Sequence, residues 1–138
     1  MLACTVMIED QVRSRLRQEF ATTLPRFDLM AQLERHPQGL RMGELSKRMM
    51  VTGGNITGIT DQLEQEQLVQ RVADNKDRRA YTVRLTAAGR RAFKRMAAVH
   101  EEWIVELLAP LNPEQKQIMY QALGVIKQAL QDQAADED

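Results

Sequence analysis

Residues 42–85 read MGELSKRMMVTGGNITGITDQLEQEQLVQRVADNKDRRAYTVRL, and the hydrophobic period changes within them from helical to alternating. Met42, Leu45 and Met49 have helical spacing over 42–50. Thr52 is placed to cap a second helix over about 53–66, whose inner face is Ile56, Ile59 and Leu63. The connection is only a few residues long, which fits a helix-turn-helix with its second helix offered outward. Leu68, Gln70 and Val72 then alternate with Val69 and Arg71, as Tyr81, Val83 and Leu85 do with Thr82 and Arg84. Two period-2 runs flanking the polar segment 73–80 make a hairpin. A helix-turn-helix followed directly by a hairpin is the winged-helix arrangement.

Working outward, Ile8, Val12, Leu16 and Phe20 recur every four residues and predict an amphipathic helix over about 7–21. Thr22-Thr23-Leu24-Pro25 supplies a stop and a restart, with Thr23 as N-cap and Pro25 in a first turn. Phe27, Leu29, Met30, Ala31 and Leu33 predict a largely buried helix that ends at His36-Pro37-Gln38-Gly39. On the other side, Thr86 caps a long helix over about 87–108, with Phe93, Met96, Ala97, His100, Trp103, Ile104 and Leu107 on one face. Asn112-Pro113-Glu114-Gln115 opens a last helix whose stripe, Met119, Leu123, Ile126 and Leu130, reads as a helix–helix seam. Gln131 to Asp138 is polar and acidic and is expected to fray. The fold class is therefore mainly α with a small β-hairpin wing.

A chain of 138 residues bounds the answer to one domain or one compact protomer. Its 43% hydrophobic and 28% charged composition is that of a globular protein. Eight methionines against 4% aromatics suggest an adaptable interior. Cys4 is the single cysteine, which excludes an intrachain disulfide and a Cys-based structural zinc site; no cofactor and no metal is called for. The start, MLACTVMI, lacks a basic region and runs into Glu9-Asp10, a poor signal peptide. With no run of 18 apolar residues, no membrane span is expected and a cytoplasmic protein is the default.

Nineteen Lys and Arg against nineteen Asp and Glu give zero net charge, which taken whole argues against nucleic-acid binding. The zero is a cancellation. Residues 1–40 are neutral, 41–95 carry +6 and 96–138 carry −6. Such asymmetry marks either a nucleic-acid face or two solvated surfaces of opposite sign. The outward face of the 53–66 helix presents Asn55, Thr57, Gly58, Asp61 and Gln62, groups that can meet phosphate oxygens or base edges. Gly53, Gly54 and Gly58 remove bulk where a backbone would approach DNA. Lys76, Arg78 and Arg79 cluster at the hairpin tip, where Asp77 can orient an arginine, and an arginine there suits a narrow minor groove. Arg84, Arg90, Arg91, Lys94 and Arg95 extend the basic area.

The stretch from Gly43 to Phe93 resembles the winged-helix core of MarR-family transcriptional regulators. The matching features are the ELS segment, the helix NITGITDQLE, the LV-Q-R strand, the D-R-R wing tip at Asp77 to Arg79, and LT-x-x-G-R-R opening the long helix. LPRFDLMAQLER and LNPEQ sit where that family has its second and last helices. The resemblance implies a homodimer built by the first and last two helices, binding a pseudo-palindromic operator in double-stranded DNA and repressing nearby genes. Residues 1–22 are then a dimerisation helix, 23–85 the winged helix-turn-helix, and 86–138 the long helix and C-terminal dimerisation helix. The implied DNA contacts are Thr52, Gly54, Asn55, Thr57, Gly58, Asp61 and Gln62 in a major groove, and Lys76, Asp77, Arg78 and Arg79 on the wing. By position Arg79 enters the minor groove, Asp77 orients it, and Arg78 meets phosphate. Two positions depart from the pattern: Arg41 stands where a Thr or Ser cap is common, and Gln67 replaces the usual Gly, so the helix end there must strain or remodel.

Regulators of this kind commonly sense a small molecule. LPRFDLMAQL followed by MGELS most resembles members that regulate aromatic-acid catabolism, which implies a small aromatic acid or its CoA thioester as effector. Phe20, Phe27, Met30, His100 and Trp103 are then pocket-wall candidates, and Arg13 or Arg17 meets the anionic group; plain core packing is the other reading of the apolar members. Two alternatives are a peroxide-sensing repressor acting through Cys4, and a winged-helix protein-interaction module without DNA binding, against which the basic wing speaks. An enzyme is not expected. His36 and His100 are far apart in sequence, HExxH and CxxC are absent, and Gly53-Gly54 follows a helix where a phosphate loop follows a strand.

Overall fold

A computed structural model describes residues 1–49, 55–73, 76–77 and 80–137. They form two compact units, Met1–Glu101 and Glu102–Asp138. The first begins with α1 (Leu2–Phe20), which starts five residues earlier than the periodicity predicts and buries Val12 and Leu16. Cys4 therefore lies on a formed helix, exposed. The α2 helix (Leu24–Glu34) starts as expected: the Thr23 hydroxyl accepts the Arg26 N–H at 3.3 Å, and Leu24, Phe27, Leu29, Met30 and Leu33 are buried.

Leu40–Arg41 forms a two-residue strand, β1, leading straight into α3 (Met42–Arg48). Arg41 has no side chain able to cap this helix; instead its own N–H donates to the Glu44 carboxylate at 3.2 Å. The next helix, α4 (Ile56–Gln65), corrects the sequence reading of 53–66. Asn55 is extended and accepts the Gly58 N–H at 3.2 Å, so Asn55 is the cap that Thr52 was expected to supply. Thr52 and Gly54 lie outside the described residues.

Strands β2 (Val69–Ala73) and β3 (Tyr81–Leu85) pair antiparallel from Val69↔Leu85 to Ala73↔Tyr81. β1 adds to the far edge of β3 through Leu40↔Val83, giving the order β1-β3-β2. The expected hairpin is thus two strands of a three-stranded sheet. Its central Val83 is fully buried, as are Leu16, Leu29, Met30, Leu33, Leu45, Leu63 and Val69 from the surrounding elements. The same interior holds Thr60, whose hydroxyl donates to the Ile56 carbonyl at 2.7 Å, so its polarity is satisfied within α4.

The junction after α4 sets how that helix is held. Gln67 has φ 62, so of the two outcomes open to a non-glycine residue here, strain or a remodelled end, the chain keeps the left-handed backbone that glycine favours. Its N–H donates to the Glu64 carbonyl at 2.9 Å and the Leu68 N–H to the Leu63 carbonyl at 2.9 Å, the paired bonds of a Schellman helix end. The long helix α5 (Ala87–Leu107) starts against this corner. The Thr86 hydroxyl donates to the Gln67 carbonyl at 2.7 Å and accepts the Gly89 N–H at 2.9 Å, while the Thr86 N–H donates to the Leu68 carbonyl at 3.1 Å. A β-carbon on Gly89 would overlap that carbonyl.

In the second unit, α6 (Pro113–Asp136) opens with the expected reciprocal cap: Gln115 N–H to Asn112 Oδ1 at 2.8 Å, and Asn112 N–H to Gln115 Oε1 at 3.0 Å. The polar end, expected to fray, is helical as far as Asp136. None of its residues is buried, and Leu123, Ile126 and Leu130 of the predicted seam are exposed.

Candidate nucleic-acid interface

α4 turns Leu63 and Thr60 inward and leaves Thr57, Asp61 and Gln62 exposed, with Gly58 half-buried beside them. Three of the residues expected to read DNA already have partners within the chain. Asn55 spends its carbonyl oxygen on the helix cap, so a bidentate pair with adenine would cost that cap. Asp61 is ion-paired with Arg71. Gln62 accepts from Arg26 Nη1 at 3.4 Å. On the wing, Lys76 and Asp77 are exposed, and the Asp77 carbonyl accepts the Ala80 N–H at 3.1 Å; Arg78 and Arg79 lie outside the described residues. Arg90, Arg91, Lys94 and Arg95 are exposed along the first half of α5.

Two arginines that local spacing did not single out organise this surface. Arg71 of β2 donates from Nη1 to Glu64 Oε1 at 2.7 Å and from its backbone N–H to Glu64 Oε2 at 3.1 Å; its Nη2 reaches Asp61, and its guanidinium lies 5.4 Å from the Tyr81 ring centroid. Partial burial opposes its charge, but hydrogen bonds to Asp61, Tyr81 and Glu64 outweigh that and raise its pKa above the ordinary arginine value. Arg26 of α2 donates from Nε to the Thr22 hydroxyl at 3.1 Å, from Nη1 to Gln62, and pairs through Nη2 with Glu66. One cation thus spans the α1–α2 corner and α4.

Arg26 also borders a cavity of about 360 Å³, together with Arg13 and Arg17 from α1 and Ile59 and Gln62 from α4. Arg13 is paired with Glu9 at 3.2 Å and Asp10 at 3.5 Å. The aromatic and apolar effector candidates are elsewhere. Phe20 and Met30 line a second cavity of about 280 Å³ that also includes Arg26. Phe27 is buried against Phe93 and His100, with ring centroids at 5.4 and 5.0 Å. Burial lowers the His100 pKa below its ordinary value. Trp103 is buried and belongs to the second unit. Among the described residues no group of three His, Cys, Asp or Glu is gathered for a metal, and no helix is long and apolar enough to cross a membrane.

The profile of the MarR family matches residues 22–81. The chain is 30% identical over 109 residues to the HTH-type transcriptional repressor MdtR of Bacillus subtilis, spanning 79% of this chain and 68% of that protein. A crystal structure of a MarR family transcriptional regulator from Silicibacter pomeroyi is 30% identical, with TM-score 0.76 over 96% of this chain and 88% of the other. The S. aureus MepR–DNA complex shares the fold, with TM-score 0.76 and 22% identity over 91% of each chain.

Proposed function

The chain belongs to the MarR family, and we propose that it acts as a homodimeric, ligand-responsive repressor of a pseudo-palindromic operator. It is a winged helix-turn-helix transcription regulator that binds DNA, and its relatives are regulators, not enzymes. The observation that carries the reading is the presentation of α4. A short helix is anchored by Leu63 and Thr60, shows a small polar face, and runs directly into a hairpin with a basic tip. In a two-fold dimer, two such helices must stand roughly 34 Å apart to enter successive major grooves. The exposed stripe Leu123, Ile126 and Leu130 on α6, with Leu2, Val6 and Met7 exposed on α1, supplies apolar surface for that dimer.

Titration of the protein with duplexes from its own upstream DNA, at two salt concentrations, tests this. A preferred sequence whose affinity falls steeply with salt is expected. Binding without sequence preference or salt dependence overturns the reading. Arg79→Ala is expected to weaken operator binding if the wing arginine enters the minor groove.

For the effector we propose a small aromatic acid, with its CoA thioester as the alternative form. The support is the cavity of about 360 Å³ edged by Arg13, Arg17 and Arg26, whose remaining wall includes Ile59 and Gln62 of α4. That volume is at the small end of ligand pockets, and a rim that includes arginines suits a carboxylate, with Arg13 already paired to Glu9 and Asp10 and Arg26 to Glu66. A carboxylate there meets Arg26, the residue that holds Gln62 and Glu66, so occupancy is coupled to the DNA-reading helix. A thermal-shift screen of aromatic acids and their CoA esters is expected to find stabilising ligands, and Arg17→Ala to reduce the shift. Absence of any shift across both classes rejects this effector.

A further inference from the structure

We propose that Arg71 is a positioning residue for DNA recognition, locking the wing to the recognition helix so that the two enter their grooves as one body. Arg71 lies two residues before the end of β2, where the chain leaves for the wing, and Tyr81 is the first residue of β3, where it returns. In the register Ala73↔Tyr81 and Arg71↔Val83, these two are diagonal neighbours, a spacing that long side chains bridge. The guanidinium lies over Tyr81 on the wing side and reaches Asp61 and Glu64 on α4, three residues apart and so on one helix face. A single side chain therefore touches both stems of the wing and two turns of the DNA-reading helix. The task requires arginine: a planar fork serves two carboxylates at once and stacks on an aromatic ring, which a lysine ammonium does not. Only 21% of the Arg71 side chain is exposed, against 54% for Asp61 and 41% for Glu64, so the cation sits inside and its acids sit outside. Asp61, expected from its exposure to touch DNA, is in this arrangement an anchor for the wing.

The inference rests on the DNA-binding reading above, and the experiment separates the two. Wild type, Arg71→Gln, Arg71→Lys and Glu64→Ala are compared on one operator by affinity, by protection of guanine N7 in the major groove, and by hydroxyl-radical protection of the flanking minor groove. Arg71→Gln is expected to weaken binding roughly tenfold. At saturating protein it loses minor-groove protection while guanine protection persists, and Arg71→Lys restores only part of the affinity. Glu64→Ala gives the decisive sign. Removing an acid close to a polyanion strengthens binding if charge alone matters, whereas loss of one of the two carboxylates that hold Arg71 loosens the wing anchor, weakens binding and diminishes the minor-groove footprint. Because Glu64→Ala leaves the arginine in place, it also decides the question should Arg71→Gln fail to fold. Tighter or unchanged binding by Glu64→Ala with an intact minor-groove footprint overturns the proposal. A wild-type protein without operator preference overturns the DNA-binding reading instead.

Discussion

The imidazole of His100 lies 5.0 Å from the ring of Phe27, centroid to centroid and tilted by 40°. Burial in this position disfavours the imidazolium, so the folded-state pKa lies below the ordinary value of 6.5. As pH falls through about 6.5 the unfolded chain takes up the proton first. The stabilisation is therefore complete above that pH and is lost as pH drops through the lowered folded value. Thermal melts between pH 7.5 and 5 are expected to show this loss, and His100→Gln to remove that part of the slope. An unchanged slope in the variant places the titration elsewhere.

Gln67 holds a left-handed backbone at φ 62, which costs an L-residue energy that glycine does not spend. Gln67→Gly is expected to stabilise the protein by about 0.5–1 kcal/mol, read as a higher urea midpoint with an unchanged slope. A lower midpoint means that the glutamine side chain contributes more than its backbone costs.

Gly89 behaves in the opposite way. Its α-carbon faces the Leu68 carbonyl so closely that Gly89→Ala forces the first turn of α5 away from the corner after α4. Destabilisation of about 3 kcal/mol is expected, despite the better helix propensity of alanine. A variant that melts with wild type shows that the corner can open at no cost.

The exposed stripe of α6 gives a test of assembly. Leu123→Asp with Ile126→Asp places two charges in the predicted seam. Sedimentation is expected to show association weakened roughly thirtyfold or more, with the melting of Met1–Glu101 little changed. An unchanged sedimenting mass moves the interface off this stripe.

Features written in neighbouring residues were legible before the structure. Thr23, Thr86 and Asn112 cap the helices they were expected to cap, because a cap is a contact between residues three apart. At Gln67 the departure from glycine marks the helix end as strained or remodelled, and the structure decides for the left-handed turn. The two-residue β1 was not legible, since Leu40–Arg41 is too short to show a period and exists through its pairing with β3. The start of α4 was misplaced because Thr52 and Asn55 are both good caps, and the choice is made in space. The partners of Asp61 and Gln62 were hidden for the same reason: Arg71 is ten residues from Asp61, Arg26 is 36 from Gln62, and no local pattern joins them. Exposure was predicted correctly there, and occupation was not.

The corner at Gln67, Leu68 and Thr86 has a mechanical consequence. Hydrogen bonds tie the C-terminal end of α4 to the first turn of α5, whereas its N-terminal end carries its own cap at Asn55. If the helix reads DNA as proposed, it is a lever with its fulcrum at the end away from the groove. Its ten residues span roughly 15 Å, so a tilt of about 10° about that fulcrum sweeps the Asn55 end through roughly 2.6 Å while Leu68 barely moves. A small rotation at that corner is thus delivered, magnified, to the Asn55 end, which the function proposed above places in the groove.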